Sequence, residues 1–560
     1  MASIPGSQFD ATAGGTPVNV QETSGGPLPP PIPGQFNLEV WTGPPGSAPS
    51  TPQAGYDGLV VRSADGLTLD LISGAFAITD NGNGNDTVNI YGSNETVSGG
   101  AANVTVVDNG TNDVVNVGGN DTITVTGLGD TVNGGVDPAT VTLIGTDEVF
   151  VSLSANDTIT VTGTDDSVSG GSGADQVSVT GLGDTVTGGT GPMTVTATGT
   201  NDVITAGSGN DTITVTGVTD SVTGGSGADQ VTITGFDDLF TGGSGPDTVR
   251  ATGTGDTVIG AGGALVATIT GVNDVVIGGS GENTITVTGT GDSVTGGTGP
   301  NEMTITGTGD VVTGGSGDMD VLVSGLQGSV AGGSGYNEIT AIGTDETITG
   351  GSGPDFVSVS GVGDVVNGGS DHDTLVAAGV GDTINGGSGT GLIYAYGTKD
   401  VVHGGSGPEY IEIDGNADTV TGGSGPHTIA VYGSHNLVNG GTGDEDVVVY
   451  GSFDTINTGA GTDSVEVFGS NDTVKSGSQP VNGTTATIDF AGTNDTFSDG
   501  SRVYDDTITG FSSAAGDGIH LVGGHTVATS TVTGGNTQIV LNNGSKILLI
   551  GVTDISGIFH

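Results

Sequence analysis

Apolar and polar residues alternate along most of this chain within a recurring 18-residue unit. Residues 116 to 475 hold 20 such units in succession, without an insertion. A typical unit, residues 170 to 187, reads GGSGADQVSVTGLGDTVT. Its eighth, tenth and seventeenth positions are apolar almost throughout the array, and the first two of these alternate with Thr or Ser. Such alternation is typical of a strand with one buried face. The pattern therefore predicts two short strands in every unit.

Glycine marks the turns between these strands. The twelfth position is Gly in all 20 units, from Gly127 to Gly469, and Gly supplies the positive φ that a reversal of direction needs. One unit is then one coil of a narrow solenoid. A single coil cannot bury its three apolar side chains, whereas a stack of coils buries all of them at roughly 1.5–3 kcal/mol each. The predicted fold is an all-β parallel solenoid of about 20 or more 18-residue coils.

The ends of the chain depart from the array. Two looser units precede it and one with an insertion follows it, so the predicted solenoid covers residues 81 to 510. Residues 56 to 80 are predicted to be a strand-like N-terminal cap, and residues 511 to 560 a C-terminal cap. Residues 1 to 55 are rich in Pro, Gly and Ser, which is typical of an extended arm. Its patch of Phe36, Leu38, Val40 and Trp41 is expected to dock on a neighbouring subunit; the alternative is a plain flexible tail.

Composition excludes several classes of function. The chain has 63 acidic and 6 basic residues, for a net charge of -57. This charge repels nucleic acids and acidic lipid surfaces. Because Cys is absent, zinc-thiolate sites, disulfides and thiol catalysis are impossible. No apolar run approaches the roughly 18 residues of a transmembrane segment. The seven His residues are scattered and form no HExxH pair, and we expect no enzyme.

Acidic residues fall into two columns of the predicted stack. In what we call the first acidic column, the sixth position of the unit, the Asp residues are Asp121, Asp157, Asp175, Asp211, Asp229, Asp247, Asp355, Asp373 and Asp463. In the second acidic column, the fifteenth position, 16 of the 20 units have Asp, with an unbroken run of Asp166, Asp184, Asp202, Asp220, Asp238, Asp256, Asp274, Asp292 and Asp310.

Stacked carboxylates need neutralisation. At a separation of about 5 Å and an effective dielectric constant of 20, each neighbouring pair repels by roughly 3 kcal/mol. Six basic residues cannot offset this, whereas Ca²⁺ accepts carboxylates and turn carbonyls in flexible geometry. Both columns are therefore candidate calcium ligands. In the second column an alternative stays open, in which Asp accepts hydrogen bonds from turn N–H groups of the next coil.

The first half of the unit resembles the nonapeptide GGxGxDxUx of the RTX, or hemolysin-type, calcium-binding proteins. Residues 170 to 178 read GGSGADQVS, and residues 242 to 250 read GGSGPDTVR. The resemblance implies a right-handed parallel β-roll with Ca²⁺ held between turns. It places Asp175, Asp229, Asp247 and Asp355 at the family's metal-binding position, with Asp211 after a nearly complete turn.

Several units depart from this motif. The position of the metal-binding Asp is taken by Met193, Leu265, Met319, Gly391 and His427, and by the weaker oxygen ligands Asn283, Asn301 and Asn337. The second half of the unit has a shorter turn than the family's, so calcium there is predicted from the charge of the column and not from the motif.

The C-terminal region, from YDDTITGFSSAAGDGIHL onward, resembles that of RTX proteins exported by type I secretion. The resemblance implies a protein secreted to the exterior or cell surface of a Gram-negative bacterium. We expect a calcium-stabilised structural subunit of a surface layer or filament, which associates with copies of itself. The alternative is an adhesin for a cell-surface glycan or matrix. An aromatic stripe that includes Tyr394, Tyr432, Tyr450 and Phe468 is expected to be a contact surface for another subunit or partner; the alternative is that these are scattered surface aromatic residues. Ice binding by the outward Thr pairs, such as Thr160 and Thr162, is a weaker possibility.

Overall fold

The computed structural model of the protein describes residues 2–3, 9–12, 17–42, 52–63, 66–71, 77–80, 86–98, 103–476, 485–500 and 502–560. Two compact units cover the chain, residues 1–282 and residues 283–560. Strands dominate both units, and the described residues include one short 3-10 helix, Ser513–Ala515. None of the helices in this part of the chain is long and apolar enough to cross a membrane.

The first unit contains one long and one short strand in most coils. The strands of its long-strand sheet are Val18–Thr23, Phe36–Trp41, Gly58–Ser63, Gly66–Leu71, Asp86–Ile90, Val104–Asp108, Thr122–Val125, Thr140–Leu143, Thr158–Thr164, Asp175–Leu182, Met193–Thr200, Thr212–Val218, Gln230–Phe236, Asp247–Thr254 and Leu265–Val272. Those of its short-strand sheet are Ala2–Ser3, Phe9–Thr12, Ala77–Asp80, Thr96–Ser98, Val114–Asn116, Thr131–Asn133, Val149–Val151, Ser167–Ser169, Thr185–Thr187, Val203–Thr205, Ser221–Thr223, Leu239–Thr241, Thr257–Ile259 and Val275–Ile277.

The second unit repeats this organisation. Its long-strand sheet holds Asn283–Thr290, Asn301–Thr308, Met319–Leu326, Asn337–Thr344, Asp355–Val362, Asp373–Val380, Gly391–Thr398, Glu409–Asn416, His427–Ser434, Glu445–Val449, Thr462–Val467, Thr485–Phe490, Asp505–Thr509, Val527–Thr533, Asn536–Leu541 and Lys546–Leu549. Its short-strand sheet holds Ser293–Thr295, Val311–Thr313, Ser329–Ala331, Thr347–Thr349, Val365–Asn367, Thr383–Asn385, Val401–His403, Thr419–Thr421, Leu437–Asn439, Thr455–Asn457, Thr473–Lys475, Thr496–Ser498 and Gly518–His520.

The parallel pairing of these strands confirms the predicted solenoid. Strand Asp175–Leu182 pairs with Met193–Thr200, one repeat unit further along the chain, so that Val177 lies opposite Val195. The three predicted apolar columns form the core: Val177, Val179 and Val186 are each at most 3% exposed. Each coil is therefore held by the main-chain hydrogen bonds of two sheets and by a thin apolar interior.

The N-terminal region differs from the predicted extended arm where the structure describes it. Val18–Thr23 pairs in parallel with Phe36–Trp41, which pairs in turn with Gly58–Ser63. Leu38 and Val40 are fully buried within the chain's own sheet. The patch expected to dock on a neighbour is thus already an interior strand, because its alternating apolar residues continue the same stack.

The C-terminal region changes from parallel to antiparallel pairing. Lys546–Leu549 pairs in parallel with Asp505–Thr509. Two further strands then add in antiparallel fashion, first Asn536–Leu541 and then Val527–Thr533. This hairpin covers the last parallel strand of the sheet.

A residue in the left-handed backbone conformation directs the side chains of the second acidic column into the coil. The residue before the column has positive φ in many coils, as in Asp165 at 59° and Gly183 at 75°. Gly, Asn and Asp tolerate this conformation better than other residues. The turn that follows places the next side chain, such as Asp184, inside the coil, where it is 1% exposed.

Candidate metal centre

The second acidic column forms a hydrogen-bonded ladder inside the coils. Asp184 Oδ1 accepts the main-chain N–H of Asp166, one coil earlier, at 2.9 Å. The N–H of Asp184 is in turn bonded to Oδ1 of Asp202 at 3.1 Å. The same bond to Oδ1 of the next column member is donated by the N–H groups of Asp202, Asp220, Asp238, Asp256, Asp292, Asp364, Asp382, Asp400, Asp454 and Asp472. One oxygen of these carboxylates therefore accepts a main-chain N–H, as the alternative to calcium binding predicted. The donating N–H, however, belongs to the preceding coil and not to the next.

The second oxygen of these carboxylates is buried without a hydrogen-bond donor. This holds for Oδ2 of Asp166, Asp184, Asp202, Asp220, Asp238 and Asp256 in the first unit, and of Asp364, Asp382, Asp400, Asp418, Asp454, Asp472 and Asp495 in the second. A buried acceptor without a donor carries a desolvation cost of roughly 1–3 kcal/mol, and more when it is charged.

In many coils a main-chain carbonyl oxygen lies beside the carboxylate oxygen that has no donor. A Cβ on Gly181 would lie 2.6 Å from Asp184 Oδ2 and closer still to the carbonyl oxygen of Gly163, one coil earlier. The equivalent two oxygens, Oδ2 of the Asp in the same coil and the carbonyl oxygen of the Gly one coil earlier, lie beside Gly199, Gly235 and Gly253. Because two acceptors converge at this point, each of these coils has a cradle that suits a cation or a proton. This crowding also explains why the twelfth position of the unit is always Gly.

Asn436 shows what the cradle requires. It replaces Asp in the second column, and its Oδ1 accepts the N–H of Asp418 at 3.0 Å as an Asp would. Its Nδ2 donates to the carbonyl oxygen of Gly415 at 3.2 Å. An amide thus supplies the donor that an ionised carboxylate lacks. In the Asp coils, a proton on the carboxylate or a bound cation would bridge the same two oxygens.

Burial disfavours the charged form of these carboxylates. It raises the pKa of Asp184 and of Asp220 to about 6, with repulsion from neighbouring carboxylates adding to the effect. It raises the pKa of Asp472 and of Asp495 to about 7 for the same reasons. The main-chain N–H bonds act in the opposite direction and are the weaker influence. A cation or a proton would remove this penalty.

The first acidic column caps its own turn. Asp229 Oδ1 accepts the N–H of Asp211 at 2.9 Å, and its Oδ2 accepts the N–H of Gly225 at 3.3 Å. The other residues that accept one N–H from the preceding coil and one from their own turn are Asp121, Asp175, Asp211, Asp247 and Asp373. The oxygens at the motif position are therefore better satisfied than those of the second column.

Three predicted ligands of the first column differ in detail. Asp157 Oδ1 accepts the N–H of Ala139 at 2.9 Å, and its Oδ2 accepts the hydroxyl of Ser152 at 2.7 Å. Asp355 and Asp463 each accept an N–H from the preceding coil, while the other oxygen has no hydrogen-bond donor.

The two remaining predicted ligands belong to the second column. Asp274 accepts the N–H of Asp256, and Asp310 accepts the N–H of Asp292. Every residue of the predicted unbroken run therefore takes part in a ladder bond within its own compact unit.

His427 shows that the first column does not require a carboxylate. Its Nε2 accepts the N–H of Gly423 at 3.1 Å, which is the bond that Asp makes in other coils. Its Nδ1 lies 3.6 Å from Oε2 of Glu409. Burial lowers the pKa of His427, so the ring is neutral near pH 7. One coil earlier than Glu409, Gly391 provides no side chain and leaves a cavity lined by Asp373 and Glu409 among others.

Three carboxylates outside the predicted ligand set converge in the first unit. Asp108, Asp113 and Asp130 bring one ligand atom each to within 4.8 Å of one another, and all three are at most 1% exposed. In the described part of the chain this is the one group of three such residues that could hold a metal ion. The sequence signal was the acidic Asp108 at a strand position that is otherwise apolar.

Comparison with known proteins adds no family. No family model matches the chain, and a search of curated proteins found no match.

Proposed function

We propose that this protein is a secreted, calcium-stabilised solenoid of the RTX type that serves as a structural subunit of an extracellular assembly. The observation that carries the calcium assignment is the cradle of the second column, where a buried carboxylate oxygen that has no hydrogen-bond donor lies beside a main-chain carbonyl oxygen. Hard oxygen donors of this kind suit Ca²⁺. Oδ2 of Asp184 and the carbonyl oxygen of Gly163 would be two of its ligands.

The resemblance to the RTX motif supports the same cation in the first column. Asp175, Asp229 and Asp247 hold the motif position, and their oxygens keep lone pairs beyond those used by main-chain N–H groups. Bound calcium would supply the positive charge that six basic residues cannot. Calcium is abundant outside cells, which fits export through the type I route implied by the C-terminal region.

Edge strands support assembly between copies. Val527–Thr533 is mostly exposed and has no charged side chain. Among the described residues it pairs on one side only, with Asn536–Leu541. Within the same described part of the chain, Val18–Thr23 is also paired on one side of its sheet. Unpaired main-chain groups on an uncharged edge favour strand addition by another chain. A head-to-tail contact of this kind generates an open filament.

An adhesin is the second candidate, and one surface favours it. Tyr432, Tyr450 and Phe468 stack in register, with ring centroids 4.9 and 5.3 Å apart, and each is between 37% and 50% exposed. Exposed aromatic residues in a row are typical of a contact surface. Retention of single, unpolymerised molecules on a glycan or cell surface would favour this function.

Calcium titration tests the metal assignment. We expect Ca²⁺ to raise the unfolding temperature of the protein at pH 7.5 and excess chelator to lower it, followed by circular dichroism. Asp238→Asn should retain the bond from Asp220 N–H, supply a donor to the carbonyl of Gly217, and reduce the number of bound ions. Asp237→Asn is the matched control, since Asp237 is exposed beside it.

Two results would contradict calcium binding in the second column. One is an identical unfolding temperature in calcium and in chelator at low salt. The other is an equal number of bound calcium ions in the wild type and in Asp238→Asn.

Electron microscopy tests the assembly. We expect polymers when calcium is added, and we expect Thr531→Lys to weaken them because a charge on the edge strand blocks pairing. Thr306→Lys places the same charge on an exposed strand position elsewhere and is the control. If Thr531→Lys and the wild type polymerise at the same concentration, the edge strand is not the contact.

A further inference from the structure

Asp108 occupies a position that the solenoid otherwise gives to apolar residues. Along the sheet its strand neighbours are Ile90 in the preceding coil and Val125 in the next, both fully buried. Asp108 is itself 0% exposed. The fold does not require an acid here, because every coil from 116 to 475 has an apolar residue at this position.

The carboxylate of Asp108 is only half satisfied. Its Oδ1 accepts the N–H of Gly110 at 2.8 Å, while its Oδ2 is buried and has no hydrogen-bond donor. A buried carboxylate with an unpartnered oxygen is strongly unfavourable unless a positive group neutralises it.

Two members of the second column complete the cluster. Asp113 and Asp130 each use Oδ1 to accept a main-chain N–H, from Glu95 and Asp113 respectively, both at 2.7 Å. Their Oδ2 atoms are buried without a donor. Each of the three residues therefore has one buried oxygen without a hydrogen-bond donor, and each brings one carboxylate oxygen to within 4.8 Å of those of the other two.

The spacing and the chemistry of these oxygens fit one hard cation. Two ligands on opposite sides of a calcium ion, each about 2.4 Å from it, are about 4.8 Å apart. A main-chain carbonyl is also near: a Cβ on Gly110 would lie 2.7 Å from the oxygen of Gly92 and 3.1 Å from Asp108 Oδ1. An all-oxygen set of this kind favours Ca²⁺ over softer transition metals.

We propose that Asp108, Asp113 and Asp130 form a single divalent-cation site, in which a strand residue that the other coils lack joins two members of the second column. It differs from the cradles of the second column because Asp108 reaches it from a strand and not from a turn, so the ion is held between the sheet and the second column. This site anchors the coils that precede the regular array, where the second column loses its period: the sequence separation is 18 from Glu95 to Asp113 but 17 from Asp113 to Asp130.

Asp108→Val tests the site, because Val occurs at this position in other coils and should fold. The measurement is the number of calcium ions bound by the full-length protein after equilibrium dialysis at pH 7.5, with magnesium as a parallel probe, together with the unfolding temperature in chelator. We expect Asp108→Val to bind one ion fewer and to unfold at a higher temperature than the wild type in chelator. Asp108→Asn should also lose the ion, and Asp137→Asn, an exposed change, should lose none.

Asp238→Asn separates this site from the calcium proposed for the repeats. If Asp108→Val loses an ion and Asp238→Asn does not, the Asp108 site stands and the repeat assignment fails. If only Asp238→Asn loses an ion, the carboxyl group of Asp108 is neutralised by a proton and the Asp108 site is overturned. If the wild type binds no calcium or magnesium, both assignments are overturned.

Discussion

The twelfth-position glycine and the second-column carboxylate depend on each other. In the coil of Gly235, the Cα faces the carbonyl of Gly217 and Oδ2 of Asp238, so that no room remains for a side chain. In coils such as this one, its presence thus comes from close packing, whereas at Gly433 a φ of 101° adds a second reason. An inward carboxylate and a Gly three residues earlier form one functional pair.

Gly235→Ala tests this packing. The new Cβ would lie 2.6 Å from Asp238 Oδ2 and closer to the carbonyl of Gly217, and we expect it to destabilise the protein by about 2 kcal/mol. Urea unfolding measures the change. Gly262→Ala is the control, because its nearest neighbours would be 3.8 Å away; it should change stability by less than about 0.5 kcal/mol. Equal effects of the two substitutions would contradict the packing account.

At the scale of the coil, the first acidic column has a structural role that does not depend on a bound metal ion. Asp175, Asp229 and Asp247 each tie their own turn to the coil before it through two N–H groups. His427 preserves the turn bond with a ring nitrogen. Departures from the motif are therefore tolerated wherever the turn N–H finds another acceptor.

Asp229→Ala separates capping from metal binding. It leaves the N–H groups of Asp211 and Gly225 without acceptors, and we expect a loss of about 2 kcal/mol even in chelator. Hydrogen exchange of the peptide that spans residues 211 to 229 should accelerate. Asp229→Asn keeps an acceptor oxygen and should cost less. An effect of Asp229→Ala that is seen only with calcium present would mean that the residue acts through the ion alone.

The sequence predicted the coil well because its period is strict. Val177, Val179 and Val186 lie where the pattern expects them, and their neighbours in the sheet come one repeat unit later. The N-terminal coils were missed because Pro and Gly dominate residues 24 to 34. Val20 and Leu38 nevertheless keep the spacing of the array, and they pair. This spacing was the sequence feature from which the N-terminal coils could have been predicted.

The candidate site was predictable only in part. The period placed the carboxylates in columns, but it could not show which oxygen meets an N–H of the preceding coil or that a carbonyl faces the other. Those contacts depend on the backbone path around residues such as Gly181 and Asp184. The cluster of Asp108, Asp113 and Asp130 lies where the period breaks, so a column count did not reveal it.

At the scale of the whole molecule, buried acids link stability to pH. Burial gives Asp184 and Asp220 pKa values of about 6, and Asp472 about 7, whereas an unfolded Asp has a pKa of about 4. The folded protein therefore binds protons more tightly. The stabilisation that these protons give to the folded state is complete below about pH 4, and it is lost as the pH rises through 6 to 7.

We expect the metal-free protein to unfold at a lower urea concentration at pH 8 than at pH 5. Calcium should reduce this difference, because the ion replaces the proton at neutral pH and has little effect when the carboxyl groups are already neutral. Urea midpoints in chelator and in calcium at both pH values measure the effect. A midpoint in chelator that rises between pH 5 and pH 8 would contradict it.

The hydrogen-bond ladder of the second column gives a stack of coils a chemical direction. Because every carboxylate of the ladder reaches back to the N–H of the coil before it, the two faces of an incomplete stack are unlike. A stack that grows toward its N-terminus always presents carboxylate oxygens at its growing front, whereas one that grows toward its C-terminus presents bare N–H donors. We expect the first kind of front to stay hydrated and to attract cations before the next coil arrives. Folding that starts at the C-terminal coils would then be the route on which each new coil meets a template that already carries its counterion.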